Sequence, residues 1–311
     1  MGRVKQIRRL DQNGTKDAYR RLQRGALRYA TVDEETFRRI EAERPRLIVS
    51  EGEAVVAGVL HSAALDIQYA FPDRDAFARH FPSMLERLLP AVSLTEAPLG
   101  VRFRLTSRTE RPYVEPVLRA LGFELMREWL RMTLLELPAG VEARDDVAPG
   151  FLVRGARLED AEAIAELDAI AFAASFLTAQ AARELIEERH VVRLIEETAT
   201  ETAAGFLRLR AEGPTTGYVS DIAVHPEYQR RGLGEALMRW ALGWFRQQGM
   251  RRATLTVNTD NAGAIALYRK LGFVDDEMGI DYRRPLDEEE VRQVLEKQRT
   301  VHIRVRRRLG R

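Results

Sequence analysis

Hydrophobic and polar residues follow two periods along the chain, and these periods predict its secondary structure. Short apolar or alternating stretches such as RLIVSEGEAVVAGVL, residues 46–60, are typical of strand pairs. Apolar residues at i, i+3, i+4 and i+7, as in Ala264, Leu267, Tyr268 and Leu271, share one face of a helix. Each half of the chain shows the order strand, helices, two strands, a further strand, helix, strand, helix and strand, which predicts an α/β fold.

The second half of the chain repeats the first. Residues 104–123 align without a gap to residues 254–273, and both segments end in LGF. Because the two segments match without a gap over their whole length, they predict two related domains. The predicted parts are a first domain over residues 1–137, an exposed linker over 138–150 rich in Pro, Gly and Asp, a second domain over 151–286, and a C-terminal helix with a basic tail over 287–311.

Composition and charge exclude several classes of function. Lysine and arginine number 49 against 47 aspartates and glutamates, so the formal charge of +2 does not favour nucleic-acid binding. Cysteine is absent, which excludes disulfides and thiol-ligated metals, and the five histidines lack metal-ligand spacing, so no metal is expected. The sequence has no run of about 18 apolar residues, and its N-terminus is too charged for a signal peptide. We therefore expect a cytoplasmic protein without membrane or nucleic-acid partners, either a monomer or a homodimer.

A glycine-containing segment, QRRGLG at residues 229–234, lies between a predicted strand and a predicted helix. Gly232 and Gly234 allow backbone N–H groups to converge, and the following helix adds the positive end of its dipole. Arg230 and Arg231 place positive charge beside the same point. The segment predicts a phosphate or pyrophosphate site, whereas a lone glycine pair of this kind also occurs in ordinary turns.

A second motif, NxxNxxAxxLYxxLGF over residues 258–273, follows the loop. Paired with IAVHPEYQRRGLGEALM, residues 222–238, it resembles the GNAT superfamily of acetyl-CoA-dependent N-acetyltransferases. The resemblance covers about residues 150–286, and the repeat extends it to a tandem layout similar to that of mycothiol synthases. It implies two tandem GNAT-like α/β domains of the α+β sandwich type, each a mixed, mostly antiparallel sheet flanked by helices. It also implies acetyl-CoA as the co-substrate.

The resemblance assigns roles to single residues. The backbone of the strand is implied to pair with the pantetheine arm, and the loop is implied to cradle the pyrophosphate. Tyr268 matches the tyrosine that protonates the departing coenzyme A thiolate, whereas its helical spacing alone is typical of a core aromatic. The implied cofactor-binding residues are Ile222, Ala223, Val224, Gln229, Arg230, Arg231, Gly232, Leu233, Gly234, Glu235 and Asn261.

The base that deprotonates the amine is less constrained. Ribosomal-protein N-terminal acetyltransferases of this superfamily carry a glutamate where this chain has Thr256. Asp221 is the nearest titratable residue and is a candidate catalytic base. Alternatively, Asp221 is a structural carboxylate that pairs with a neighbouring residue, and a chain of water molecules acts as the base.

The first half lacks the residues that carry the chemistry. Leu118 stands opposite Tyr268 in the repeat, and no glycine occurs from Val59 to Leu99, so this half is predicted to be a degenerate copy without a cofactor loop. The whole sequence predicts an enzyme that moves an acetyl group from acetyl-CoA to a primary amine of a small molecule, with Tyr268 as general acid. Alternatives are a protein or peptide N-terminal or lysine acetyltransferase and a catalytically silent acyl-CoA-binding module.

Overall fold

A computed structural model describes residues 12–61, 64–91, 100–172, 177–188 and 191–286. The predicted C-terminal helix and basic tail lie outside the described residues. The chain divides into two compact units. The first contains Met1–Glu128 and Gly279–Arg311, and the second contains Trp129–Met278. The domain limits at residues 137 and 150, which rest on the repeat, stay a prediction. Within the described ranges, no helix combines the length and apolar character that a membrane span requires.

From the second helix onward the helices and strands follow the order expected from the hydrophobic pattern, except for two short strands that it did not predict, Leu27–Tyr29 and Asp146–Ala148. The first strand expected in the chain would precede Gln12, outside the described residues. The helices are α1 (Gln12–Leu22), α2 (Glu34–Glu43), α3 (Arg74–Leu88), α4 (Arg111–Ala120), α5 (Ala161–Ala171), α6 (Ala179–Glu187), α7 (Leu233–Gln247) and α8 (Ala262–Lys270). The strands are β1 (Leu27–Tyr29), β2 (Ile48–Glu51), β3 (Ala54–His61), β4 (Ala64–Phe71), β5 (Gly100–Leu105), β6 (Glu124–Leu134), β7 (Asp146–Ala148), β8 (Phe151–Gly155), β9 (Val191–Glu197), β10 (Thr202–Ala211), β11 (Thr216–Val224), β12 (Arg252–Asn258) and β13 (Val274–Pro285).

The first unit contains a sheet with strand order β2-β3-β4-β5-β13. The pairs β2–β3, β3–β4 and β5–β13 are antiparallel, and β4–β5 is parallel over Leu65–Ile67 only. Beyond this short parallel stretch, β1 pairs antiparallel with Tyr69–Phe71 of β4. Because β3 already occupies the other edge of β4, β1 lies on the edge that faces β5.

A buried carboxylate ties the last strand to the first unit. Asp281 on β13 is fully buried, and its oxygens accept hydrogen bonds from Arg104 at 2.6 Å and from Arg127 at 3.0 Å. A buried charge is tolerated only when it is paired, so these two arginines offset the desolvation of the carboxylate. The same unit is filled by aromatic residues, among them Tyr69 and Phe103, whose rings stack 4.4 Å apart.

The second unit contains a sheet with strand order β6-β12-β11-β10-β9-β8-β7. All neighbouring pairs are antiparallel except β11–β12, which is parallel. Every strand of this order lies within residues Trp129–Asn258. The part of β6 that belongs to it, Trp129–Leu134, pairs with β12. The sheet is mixed and mostly antiparallel, as predicted.

Helices cover both faces of this second sheet. On one face, apolar residues of α7 and α8, such as Leu237 and Ile265, pack in one cluster with Leu207 and Leu255 of the sheet. On the other face, α5 and α6 pack in a smaller cluster that includes Ile164, Leu167, Phe206 and Ala223. Sheet residues therefore divide between the two faces, and the division determines which side chains surround the candidate site.

Candidate functional site

The strand β11 has one backbone edge that is only partly paired. It is parallel to β12 over Thr216–Val219, and the two strands have no paired residues after that point. On its other edge, β11 stays paired with β10 as far as Val224. Among the described residues, the β12-side edge of residues 220–224 therefore has no strand partner. An extended ligand can add to such an edge as an extra strand, because its backbone N–H and C=O groups are available.

A β-bulge interrupts β11 where this open edge begins. Arg208 of β10 lies opposite Asp221, but Leu209 lies opposite Val219, so Ser220 is the extra residue. A one-residue insertion reverses the faces of the residues that follow it. Val219 accordingly packs in the α7-side cluster, whereas Ala223 packs in the α5-side cluster. Asp221 is therefore presented to the α5 face of the sheet.

The predicted phosphate loop joins β11 to α7. Arg230 and Gly232 both have left-handed backbone conformations, with φ of +61° and +80°. Gly232 is the N-cap residue of α7, and no side chain caps the helix start. The first N–H groups of an α-helix have no intrahelical acceptor, so those of α7 are available to an anion. The amide of Gln229 donates a hydrogen bond of 3.1 Å to the carbonyl oxygen of Val224 and holds the loop to the strand.

Charges around the loop favour an anion. Arg230 and Arg231 are exposed, and the Arg231 guanidinium lies 5.1 Å from the ring centroid of Tyr228. Glu235, in the first turn of α7, is paired with Lys270 at 2.6 Å. Arg239 pairs with the same carboxylate, so its negative charge is compensated. The other predicted loop residues fill structural positions, since Leu233 is buried in the core and Gly234 is half-buried at the helix start.

Asn261 is the N-cap residue of α8. Its side-chain oxygen accepts a hydrogen bond of 3.1 Å from the backbone N–H of Ala264. Asparagine is a favoured N-cap because this bond satisfies an otherwise unpaired amide. The cap gives Asn261 a structural role. The predicted contact of Asn261 with the cofactor stays a prediction.

Tyr268 lies on the buried face of α8 and is 6% exposed. Its ring centroid is 6.0 Å from that of Phe273. Burial raises the pKa of the Tyr268 hydroxyl to about 12, because the phenolate loses hydration. The hydroxyl has no hydrogen-bond partner among the described residues. Tyr268 is thus both a core aromatic and a phenol that keeps its proton at neutral pH.

The candidate base Asp221 is not isolated. Its carboxylate accepts a hydrogen bond from the guanidinium of Arg208 on the neighbouring strand, and the two form an ion pair. Thr256 on β12 accepts a hydrogen bond of 3.1 Å from the hydroxyl of Tyr218. Thr256 therefore has a structural partner and no titratable group.

One residue of this site did not emerge from the sequence analysis. Asp168 of α5 is 3% exposed, and the backbone N–H of Leu177 donates to its carboxylate. Burial first, and then the charge of Asp221, raise the pKa of Asp168 to about 6. The available signal was its place in AEAIAELDAIA, where it stands at i+4 from Ile164 on the apolar face of the helix. A carboxylate on such a face is unusual, since Asp is seldom fully buried.

The corresponding part of the first unit is built differently. The edge of β4 that faces β5 is paired with β1 at Tyr69–Phe71, so it is filled by the chain itself. The start of α3 is capped by Asp73, whose carboxylate accepts from the N–H of Ala76 at 2.7 Å. A carboxylate at this point satisfies the helix start and repels a phosphate. The open strand edge and the uncapped helix start of the second unit are therefore both occupied in the first unit.

Comparisons with known proteins identify the family of the chain. The model of the acetyltransferase (GNAT) family matches residues 157–273. A mycothiol acetyltransferase from Saccharomonospora viridis is 30% identical over 274 residues, which cover 78% of this chain and 85% of that protein. A putative ribosomal protein bS18-alanine N-acetyltransferase from Bacillus subtilis is 29% identical over 39% of this chain and 78% of its own length.

Solved structures show the same fold. A GCN5-related N-acetyltransferase from Sphaerobacter thermophilus superposes with a TM-score of 0.58 at 19% identity, covering 81% of this chain and 85% of that one. A tandem GNAT protein from the clavulanic acid biosynthesis pathway superposes with a TM-score of 0.51 at 16% identity, covering 76% of this chain and 81% of that one. The chain therefore belongs to the acetyltransferase (GNAT) family, in its tandem form, and is an acetyl-CoA-dependent N-acetyltransferase.

Proposed function

We propose that this protein transfers the acetyl group of acetyl-CoA to a primary amine of a small molecule, at a single site in the second unit. The observation that carries the proposal is the unpaired edge of β11, which leads into a loop whose helix start has no side-chain cap. A pantetheine arm needs backbone partners along its length, and a pyrophosphate needs converging amides at its end. Both are offered here in the required order along one chain segment.

The cofactor-binding residues have separate roles in this proposal. The backbone groups of Ile222 and Val224 pair with the pantetheine, and Ala223 between them packs into the α5-side core. The amides from Gln229 to Gly234 hold the pyrophosphate, and the exposed Arg230 and Arg231 supply opposite charge. Glu235 and Leu233 position the helix start, and Asn261 adds a contact from α8.

The chemistry requires an attack, a stabilised oxyanion and a protonated leaving group. The neutral amine attacks the thioester carbonyl carbon, and a strand N–H near Val224 stabilises the oxyanion that forms. The nitrogen then loses a proton to water, and the carbon–sulfur bond breaks. The coenzyme A thiolate takes a proton from the Tyr268 hydroxyl, and Tyr268 regains a proton from solvent. Burial supports this role of Tyr268, because a raised pKa keeps the hydroxyl protonated until the thiolate needs it.

A small acceptor is supported by the relatives that match over the greater part of the chain. One relative, which this chain matches over 85% of the relative's length, is named a mycothiol acetyltransferase. The bS18-alanine acetyltransferase of Bacillus subtilis matches only 39% of this chain. Thr256 also replaces the glutamate that the ribosomal-protein enzymes carry in the corresponding strand.

Release of free thiol from acetyl-CoA tests the proposal. The full-length chain is assayed against ethylamine, ethanolamine, amino sugars and amino-acid amides, and against peptides that begin with alanine or contain lysine. We expect turnover with at least one small amine and a kcat/KM at least about tenfold higher than with any peptide, which corresponds to about 1.4 kcal/mol. Preference for a peptide would favour the protein acetyltransferase alternative. Tight binding of acetyl-CoA without thiol release from any acceptor would favour the silent binding module.

A further inference from the structure

Three charged side chains meet beside the first turn of α7. Lys270 of α8 donates to one carboxylate oxygen of Glu235 at 2.6 Å, and Arg239 donates to the other oxygen at 2.9 Å. Lys270 and Arg239 are exposed, and Glu235 is half-buried. These three residues, the α7–α8 cluster, therefore place two positive charges around a single negative one.

The α7–α8 cluster adjoins the helix start that the proposed function gives to the pyrophosphate. The N–H of Ala236 donates to Gly232, so the N–H of Glu235, one residue earlier, is among the first N–H groups of α7, which lack an intrahelical acceptor. Leu267 of α8 lies 3.7 Å from the position that a Cβ on Gly234 would take. Helix α8 therefore lies against the first turn of α7, and Lys270 follows Leu267 by one helical turn.

The loop before α7 supplies too little positive charge for a whole coenzyme A molecule. The pyrophosphate carries about two negative charges, and the 3′-phosphate monoester carries between about 1.5 and 2 more at neutral pH. Arg230 and Arg231 offset only the first of these groups. A bare Glu235 carboxylate beside the loop would repel the second, whereas the whole α7–α8 cluster carries one excess positive charge and attracts it.

The contacts within the α7–α8 cluster suit an exchange of partners. Ion pairs between exposed side chains contribute little stability, so Lys270 and Arg239 can turn to a stronger anion at small cost. A phosphate dianion has three acceptor oxygens and more charge than a carboxylate. Pairing with Glu235 keeps the two cationic groups side by side before a ligand arrives, which reduces the ordering that binding requires. In the repeat, Ala120 of the first unit stands opposite Lys270.

We propose that Lys270 and Arg239 bind the 3′-phosphate of coenzyme A, an inference that rests on the proposed function. The 3′-phosphate is carried by the adenosine that follows the pyrophosphate, so it lies beyond the loop when β11 holds the pantetheine. The two residues then determine which acetyl donor is used. The chain selects acetyl-CoA over thioesters that lack this phosphate, such as acetyl-dephospho-CoA or an acetyl group on the phosphopantetheine of a carrier protein.

Two donors that differ only in the 3′-phosphate separate this role from a structural one. Calorimetric titration of the full-length chain with acetyl-CoA and with acetyl-dephospho-CoA should show at least about tenfold tighter binding of acetyl-CoA. Lys270→Gln and Arg239→Gln should each weaken the binding of acetyl-CoA by about 5- to 10-fold and that of acetyl-dephospho-CoA by less than about 2-fold. Added salt should reduce the preference of the wild-type chain, because the contact is exposed to solvent.

Arg269→Gln is the matched control. Arg269 is the exposed neighbour of Lys270 on α8 and pairs with Asp275, so this substitution removes the same charge outside the α7–α8 cluster. It should leave the affinity for both donors unaltered.

Equal weakening of both donors by Lys270→Gln and Arg239→Gln would overturn the inference, since the α7–α8 cluster would then only fasten α8 to α7. Equal affinity of the wild-type chain for the two donors would overturn it as well. Neither result touches the proposed function, which fails separately if the wild-type chain releases no thiol from acetyl-CoA with any amine. If the wild-type chain binds neither donor, both proposals fail.

Discussion

Replacing Gly232 by alanine tests whether the loop before α7 binds acetyl-CoA. Gly232 has φ of +80° and no atom within 4 Å of the position that a Cβ would take. Alanine therefore meets no steric barrier from the rest of the protein, and the cost comes from the backbone alone. The left-handed conformation disfavours a residue with a Cβ by about 1–2 kcal/mol.

This cost sets the size of the expected effect. In the free protein the loop can relax to a conformation with negative φ, which turns its amides away from the anion. Binding then has to restore the left-handed conformation, so the affinity for acetyl-CoA should fall by about 5- to 30-fold. A β-branched residue such as valine is more strained at this φ, and Gly232→Val should abolish measurable binding.

Calorimetric titration with acetyl-CoA measures this effect, and Gly213→Ala is its matched control. Gly213 has φ of +86° and is equally open, but it lies in the turn between β10 and β11 and not in the phosphate loop. Only Gly232→Ala should bind acetyl-CoA more weakly. Wild-type affinity in Gly232→Ala, or an equal loss in Gly213→Ala, would refute the proposed role of the loop.

Four further outcomes are expected. Tyr268→Phe should lower kcat by about 100-fold with little change in acetyl-CoA affinity. Because its raised pKa keeps the hydroxyl protonated as pH rises, Tyr268 should add no basic limb to the rate profile below about pH 10; an unchanged rate would leave it a packing residue. Calorimetry should find one acetyl-CoA per chain, since β1 and Asp73 occupy the first unit's equivalents of the site; two equivalent sites would contradict this. Asp281→Asn should lower the free energy of unfolding by about 3–5 kcal/mol, measured by urea denaturation, because it removes the buried charge that pairs with Arg104 and Arg127; a loss below about 1 kcal/mol would refute the importance of these ion pairs. A chain that starts at residue 150 should show no cooperative unfolding, because it lacks Met132 and Leu134, which are buried in the second unit's core; a sharp transition would show that β6 is dispensable.

The sequence by itself determined the local parts of the site. The QRRGLG segment and the helical face that carries Tyr268 depend on residues within a few positions of one another. Glycine conformation and helical periodicity act over that range, so they can be read from the chain. The 150-residue offset likewise needed only a comparison of the chain with itself, and it predicted the tandem layout that the comparisons confirm.

Tertiary structure alone decided how these parts are completed. The bulge at Ser220 depends on the register between β10 and β11, and it decides that Asp221 faces α5. The raised pKa of Asp168 depends on burial and on charges from other strands. The pairing of β1 with β4 brings together residues about forty positions apart. Such features result from long-range pairing and desolvation, whose free energies depend on the whole packed chain and not on any short pattern of residues within it.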